Sequence, residues 1–334
     1  MNDDDDDDHD HETSDQKRTG YSGTALATES QAHRMFSPSR IWALTMHTFT
    51  QMVRMRVFYF LLFFSAGIIL VAFMFLRFTP EQELKLLKDV SLGAMSLFAG
   101  IFAIAGTALL IPKDLEDRTL YTILCKPVPR FEYLLGKLLG MLVLIFVSML
   151  FMDALFCTVV GVRQKILEKE VAVAYDQDLA KYPERERSES WKEQREEALS
   201  AITDNGLRWD LQAAVWAIFL KASVMTAVTL LVSTFATTTL FTIISSIAVF
   251  IIGHGQHLGR NYFLSGAPDG GFERALAGAI AVIFPDFHLY DIVDAVVSGE
   301  TVATTLLLQM SGMTCLYLLI YTAAASFVFS NKEL

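Results

Sequence analysis

Signatures for binding or hydrolysing a nucleotide are missing from this sequence of 334 residues, and their absence removes several functions at the outset. No G-x-x-x-x-G-K-[ST] loop is present: Gly136-Lys137 is followed by Leu138 inside an apolar run, so the chain has no phosphate cradle of that kind. It also lacks an H-E-x-x-H pair and a nucleophile elbow, which leaves hydrolysis without its usual parts. Cysteine is scarce. Cys125, Cys157 and Cys315 lie far apart, a spacing that supports neither a disulfide framework nor a zinc ribbon. Charge is scarce too, at 19% of residues, and much of the net charge of −10 comes from Asp3 to Asp8 and Asp10. The remainder is nearly balanced and has no concentrated basic surface, so no nucleic acid partner is expected.

Apolar residues are abundant, at 53%, with 25 Phe and 13 Met, and the mean hydropathy is +0.39. Such a chain reads as an all-α integral membrane protein. About 20 apolar residues at 1.5 Å each cross the hydrocarbon core. Runs of that kind fall at 57–78, 92–111, 134–160, 211–235, 240–252 (with help from its flanks) and 302–329, giving six transmembrane helices. Gly93, Gly100 and Gly106 in the second favour close helix contact.

Residues 1–38 have too little apolar surface to offset the entropy of ordering and read as a disordered acidic tail, with neither a signal peptide nor a fixed metal site. Residues 39–334 form the transmembrane domain. It opens on an amphipathic interfacial helix, with Ile41, Trp42, Leu44, Phe49, Met52 and Val53 on one arc and His47, Thr50, Gln51 and Arg54 opposite. Lys and Arg gather at the span ends on the side of Arg54, Arg56, Lys113, Arg130 and Lys137, which makes that side cytoplasmic and places both termini there.

The segment 161–210 is a charged helical extracytoplasmic insertion, broken near Pro183 and suited to a solvated cap or a docking site. Segment 275–285 is apolar but about half a membrane thick, and reads as re-entrant or interfacial. His254 and His257 in a glycine-rich stretch, with His288 further on, read as loop polarity rather than metal ligands. Asp153 and Lys221 sit at matching depth within spans three and four. Either they pair or share a wet cavity, or Lys221 snorkels outward alone.

The cytoplasmic loop 112–133 carries the strongest signal: PKDLEDRTLYTILCKPVPRFEY, followed by LLGK. Asp114 is placed to cap a short helix with an apolar face of Leu115, Leu120, Ile123 and Leu124, ended by Pro127 and Pro129. Leu120 and Tyr121 then face the cytosol on a helix too short to be stable alone, which points to burial by a partner.

At Glu116, Thr119, Leu120, Leu124, Lys126, Pro127, Arg130 and the run Glu132 to Lys137, the chain resembles permease subunits of type 2 ABC transporters. The resemblance is notably to the six-span branch that includes permeases of gliding motility and of copper-enzyme maturation. Arg118 takes the place where those proteins carry glycine.

The resemblance implies a permease subunit of an ATP-driven exporter in a prokaryotic inner membrane, surrounded by lipid and paired with a second permease copy or homologue as a homo- or heterodimer. It implies no cofactor on this chain, with ATP and Mg held by a separate ABC ATP-binding subunit. That subunit would grip a coupling helix whose contact residues are Asp114, Glu116, Arg118, Leu120, Tyr121, Leu124, Lys126 and Arg130. A non-transporting scaffold that recruits extracytoplasmic partners is the alternative reading.

Overall fold

The computed structural model describes residues 37–75, 80–116, 129–182, 189–264, 278 and 283–330. The chain divides into two units, Met1–Ser39 and Arg40–Leu334, and only residues 37–39 of the first are described. All that follows concerns Arg40 onward.

Among the described residues every regular element is helical, with no strand. In order they form α1 (Pro38–Val53), α2 (Arg56–Phe75), α3 (Pro80–Ala108), α4 (Leu110–Glu116), α5 (Arg130–Lys181), α6 (Glu189–Asp204), α7 (Trp209–Phe235), α8 (Thr239–Leu264), a 3-10 turn (Phe287–Tyr290), α9 (Val293–Val297) and α10 (Thr304–Ser330). Six stretches are long and apolar enough to span a membrane, and they agree with the six runs expected.

Burial sorts the spans. In α3 and α7, 67% and 72% of the apolar window is inside the protein, against 22–28% in α2, α8 and α10, so α3 and α7 form the heart of the bundle. Met95, Phe98 and Phe102 of α3 meet Met141, Met149 and Phe156 of α5 and the small-residue face of α7. The peripheral helices turn Phe60, Leu240, Ile251, Leu308, Leu319 and Phe327 outward, a surface compatible only with hydrocarbon or another apolar partner.

Helix breaks have local causes. Pro112 has no N–H to give to the Ala108 carbonyl, and the ladder breaks at Leu109 before resuming as α4. The charged insertion is not detached from span three, because α5 runs unbroken for 52 residues through Gly161 to Lys181. Its extension leans on α6 through a small core of Leu84, Leu167 and Ile202, and Arg163 closes on the buried Glu83 at 2.6 Å.

The amphipathic helix α1 rests one of its faces on the bundle. Ile41, Thr45, Thr48 and Met52 face inward while Trp42 is 64% exposed, so two hydroxyl-bearing positions share the contact with Ile41 and Met52. The reason is Gly136 and Gly140 on α5. A Cβ at Gly140 would stand 2.6 Å from the Thr48 Cβ, and one at Gly136 would stand 2.5 Å from the Leu44 Cβ. Small-xxx-small spacing lets the two backbones approach, and only modest side chains fit opposite. Span two uses its glycines differently from expectation: Gly106 is closely packed, against the Met141 methyl, whereas Gly93 and Gly100 have open space where a Cβ would be.

At the other end of the bundle the stretch Gly253 to His257 lies inside α8 and is not a loop. Gly253 makes room there for the Phe287 ring and the Pro285 carbonyl. Tyr290, 1% exposed, bonds Thr314 of α10 at 2.8 Å, and burial pushes its hydroxyl pKa up to about 12, so it stays protonated. Tyr290→Phe should cost about 1 kcal/mol, the usual net value of one neutral hydrogen bond. Thermal unfolding of the two proteins in the same detergent checks this. The expected re-entrant segment, 275–285, lies outside the described residues except for Gly278 and residues 283–285.

Candidate functional site

The loop 112–133 leaves the bundle at α4 and returns at α5, and its two stems are joined by a buried polar cluster. Asp114, fully buried, accepts from the Lys137 ammonium at 2.7 Å, from the Tyr133 hydroxyl at 2.5 Å and from the Gln51 amide at 3.1 Å. Lys137 also donates to the Gln51 Oε1 at 3.0 Å, which closes a ring of bonds through α1, α4 and α5. An ion pair taken out of water holds only if the remaining donors and acceptors are satisfied. Here Gln51 serves both partners, and the ammonium lies 5.8 Å from the centre of the Tyr133 ring.

Two further contacts surround this cluster. Arg40 of α1 bonds the buried Glu132 at 3.0 Å, giving α1 a second polar attachment to the start of α5. Arg130 donates 2.7 Å bonds to the carbonyls of Phe329 and Ser330. Those are among the orphan acceptors at the end of α10, where a cation also complements the helix dipole. Tyr133 and Phe329 stack with centroids 6.0 Å apart, so the returning stem is tied to the last span by charge and by packing.

Among the expected contact residues, Asp114 and Arg130 are therefore structural anchors of the stems. Asp114 is not the cap of a helix that starts there. It lies inside α4, which begins at Leu110, because its carboxylate is drawn to the buried Lys137 ammonium instead of to local backbone N–H groups. Glu116 closes α4, and its side chain lies outside the described residues, as do Arg118, Leu120, Tyr121, Leu124 and Lys126. Sequence reasoning missed Gln51, Tyr133 and Lys137 as members of one site. The available signal was a lysine one turn inside an apolar run, in register with an acid at the end of the preceding run.

Asp153 and Lys221 do not pair with each other in the structure. Asp153 accepts from Gln212 at 3.0 Å, and Lys221 reaches Asp291 at 2.8 Å. Matching depth in two neighbouring helices is not matching face, and each group found the nearer partner. His254 and His257 each place Nδ1 at a backbone carbonyl, 2.9 and 3.0 Å away, and the His257 and His288 rings stack with centroids 4.3 Å apart. Among the described residues no group of three or more potential metal ligands comes together.

Between α3 and α8 lies a groove of about 510 Å³, lined by residues from Gly93 to Ala105 on one side and Ile243, Ile247 and Phe250 on the other. Ser96 is its one polar side chain, so it can hold an apolar chain but offers no group for bond-making chemistry.

These features define a multi-pass membrane protein whose ordered polar chemistry ties helices together. The chain belongs to the ABC-2 transporter family: a family model described as ABC-2 family transporter protein matches residues 78–327, from the end of span one to the last span. It is accordingly the membrane component of an ABC-2 type transporter, and such permeases generally pair with ATP-binding subunits. Among curated proteins, none matches the chain.

Proposed function

We propose that this chain is the permease subunit of an ATP-driven exporter, of the branch that includes gliding-motility and copper-enzyme-maturation permeases. A separate ATP-binding subunit, with ATP and Mg, grips the loop 112–133. Two permease subunits enclose the route, as a homo- or heterodimer, in a prokaryotic inner membrane, and six crossings leave both termini on the cytoplasmic side with the loop.

The observation that carries this reading is the Asp114–Lys137–Gln51–Tyr133 ring. It fastens both stems of the loop to each other and to α1, so a force on the loop moves α1, α4 and α5 together rather than bending a slack connection. To drive a change of state, the ATP-binding subunit must bind the two packings with affinities that differ by several kcal/mol. A stiff attachment passes such a difference into the bundle; a floppy one dissipates it.

The test is to replace Leu120 and Tyr121 by Glu in the full complex. Expected are loss of the ATP-binding subunit on copurification and loss of cargo-stimulated ATP hydrolysis, because two charges are placed in an apolar contact. Undiminished association would overturn the reading.

A further inference from the structure

The chain leading into α10 climbs alongside that helix, and three bonds mark the climb. Tyr321 donates to the Ile283 carbonyl at 2.9 Å, the Asp286 N–H donates to the Tyr317 hydroxyl at 3.4 Å, and the hydroxyls of Tyr290 and Thr314 bond at 2.8 Å. Each bond stands about one turn of α10 further from Ser330 than the one before.

Ser330 lies on the side of the loop 112–133, because Arg130 holds its carbonyl. The end of α7 at Phe235 and the start of α8 at Thr239 lie there too, since Ala227 and Leu230 share a core with Leu134 and Leu138. Counted from those ends at 1.5 Å per residue, Tyr317 is about 20 Å into the bundle, and Lys221 of α7 and Gly253 of α8 are each about 21 Å in. A hydrocarbon core is about 30 Å thick, so this level falls inside it, in the half remote from the loop.

What stands at that level is ionic and uncovered. Lys221 donates to Asp291 at 2.8 Å, yet the Asp291 side chain is 44% exposed. His288 is 59% exposed, with Nδ1 3.9 Å from the other Asp291 oxygen and its ring stacked on His257. Residues 284–286 and 291–292 are not helical. Irregular backbone and exposed charge at membrane depth are tolerated only against protein or water.

Protein covers one side of this group. Phe287 is fully buried against Phe250, His254 and Gly253, and the Lys221 ammonium lies 5.8 Å from the centre of the Phe250 ring. The exposed parts of Asp291 and His288 lack such cover. At the same level α10 turns Leu316 outward, 49% exposed, so the surface that suits hydrocarbon at this depth is apolar and the surface at Asp291 is not.

We propose that a water-filled recess opens from the side remote from the loop 112–133 and reaches into the hydrocarbon zone between α7, α8 and the segment 283–291, with Lys221, Asp291 and His288 on its wall. Water can hydrate the carboxylate and imidazole atoms that protein leaves uncovered, and lipid tails cannot. The recess does not depend on how the loop is driven. Its use does: under the transport reading above, it is where a hydrophilic part of the cargo first meets water on the far side.

The experiment measures labelling of single cysteines by a membrane-impermeant methanethiosulfonate in sealed vesicles of both orientations, using the full chain with Cys125, Cys157 and Cys315 replaced by Ser. Lys165→Cys, at an exposed position on the extension of α5, defines the side on which labelling is read. Asp291→Cys and His288→Cys should react from that side at least about tenfold faster than Leu316→Cys, because the reactive species is the thiolate and a thiol in hydrocarbon does not ionise. Leu316 matches Asp291 in depth and exposure, so the difference in rate reports water.

His288→Cys keeps the Lys221–Asp291 pair and carries the test if Asp291→Cys does not fold. The proposal is overturned if the folded variants react no faster than Leu316→Cys or react only from the loop side. It is also overturned if His288→Cys reacts and a folded Asp291→Cys does not, since water then stops short of the ion pair. None of these readings needs ATP or an ATP-binding subunit, so a failure of the coupling reading leaves them unchanged.

Discussion

Lys137→Met is expected to lower the stability of the protein by about 3–5 kcal/mol, the usual cost of removing one partner from a buried ion pair. The loss comes less from the missing attraction than from what remains. Asp114 stays fully buried with a carboxylate that Tyr133 and Gln51 only partly satisfy, and Gln51 loses the donor to its own oxygen. The protein must then either carry an uncompensated charge or take up a proton. Adding Asp114→Leu should recover most of the loss, because replacing both members of a buried pair by apolar groups is often close to neutral.

Equilibrium unfolding of the parent, both single variants and the double variant in one detergent forms a complete cycle. A coupling energy near zero would mean that the two groups act independently and that the ring is not a unit. The same four proteins, reconstituted with an ATP-binding subunit, separate stability from coupling. The double variant should be folded yet poorly stimulated by cargo, since the stems of the loop are no longer tied by a directional bond.

Much of this architecture is legible in the sequence because the bilayer imposes a length. Six apolar runs stand out, and the six candidate spans coincide with them. What the sequence hides is the rotation of each helix about its own axis. Asp153 and Lys221 have matching depth but face Gln212 and Asp291. Gln51, assigned to the polar face of α1, turns inward because Asp114 and Lys137 offer it two complementary partners. Depth is set by a one-dimensional count of apolar residues, whereas facing depends on which neighbour lies alongside, and a single sequence has no term for that.

The contact residues proposed for the loop show the same division. Asp114 and Arg130 are charged residues beside a membrane, so their importance is readable, but their role as tethers for Lys137 and for the end of α10 depends on long-range packing.

Gly140→Ala is expected to destabilise the protein by about 1–3 kcal/mol, the range for forcing an extra carbon into a filled contact, against a gain of up to about 1 kcal/mol in helix propensity. Three contacts decide the sign. The new Cβ would meet the Thr48 Cβ at 2.6 Å, the Thr45 carbonyl oxygen at 2.8 Å and the Thr48 Cγ2 at 2.9 Å. Two of these atoms are fixed close to the α1 backbone or belong to it, so α1 has to move as a body. Since Arg40 and Gln51 are on that helix, the movement should also loosen Glu132 and the Asp114–Lys137 pair.

Two controls on α3 make the prediction specific. At Gly106 the closest atom to an added Cβ is the Met141 methyl, at 2.5 Å, but that is the far end of a flexible side chain and can swing away, so Gly106→Ala should cost less. At Gly100 nothing lies within 4 Å, and Gly100→Ala should be neutral or slightly stabilising. Unfolding measurements on the three variants should rank them Gly140→Ala, Gly106→Ala, Gly100→Ala from most to least destabilised. Equal stability for the first and last would show that α1 does not rest on α5 through this glycine.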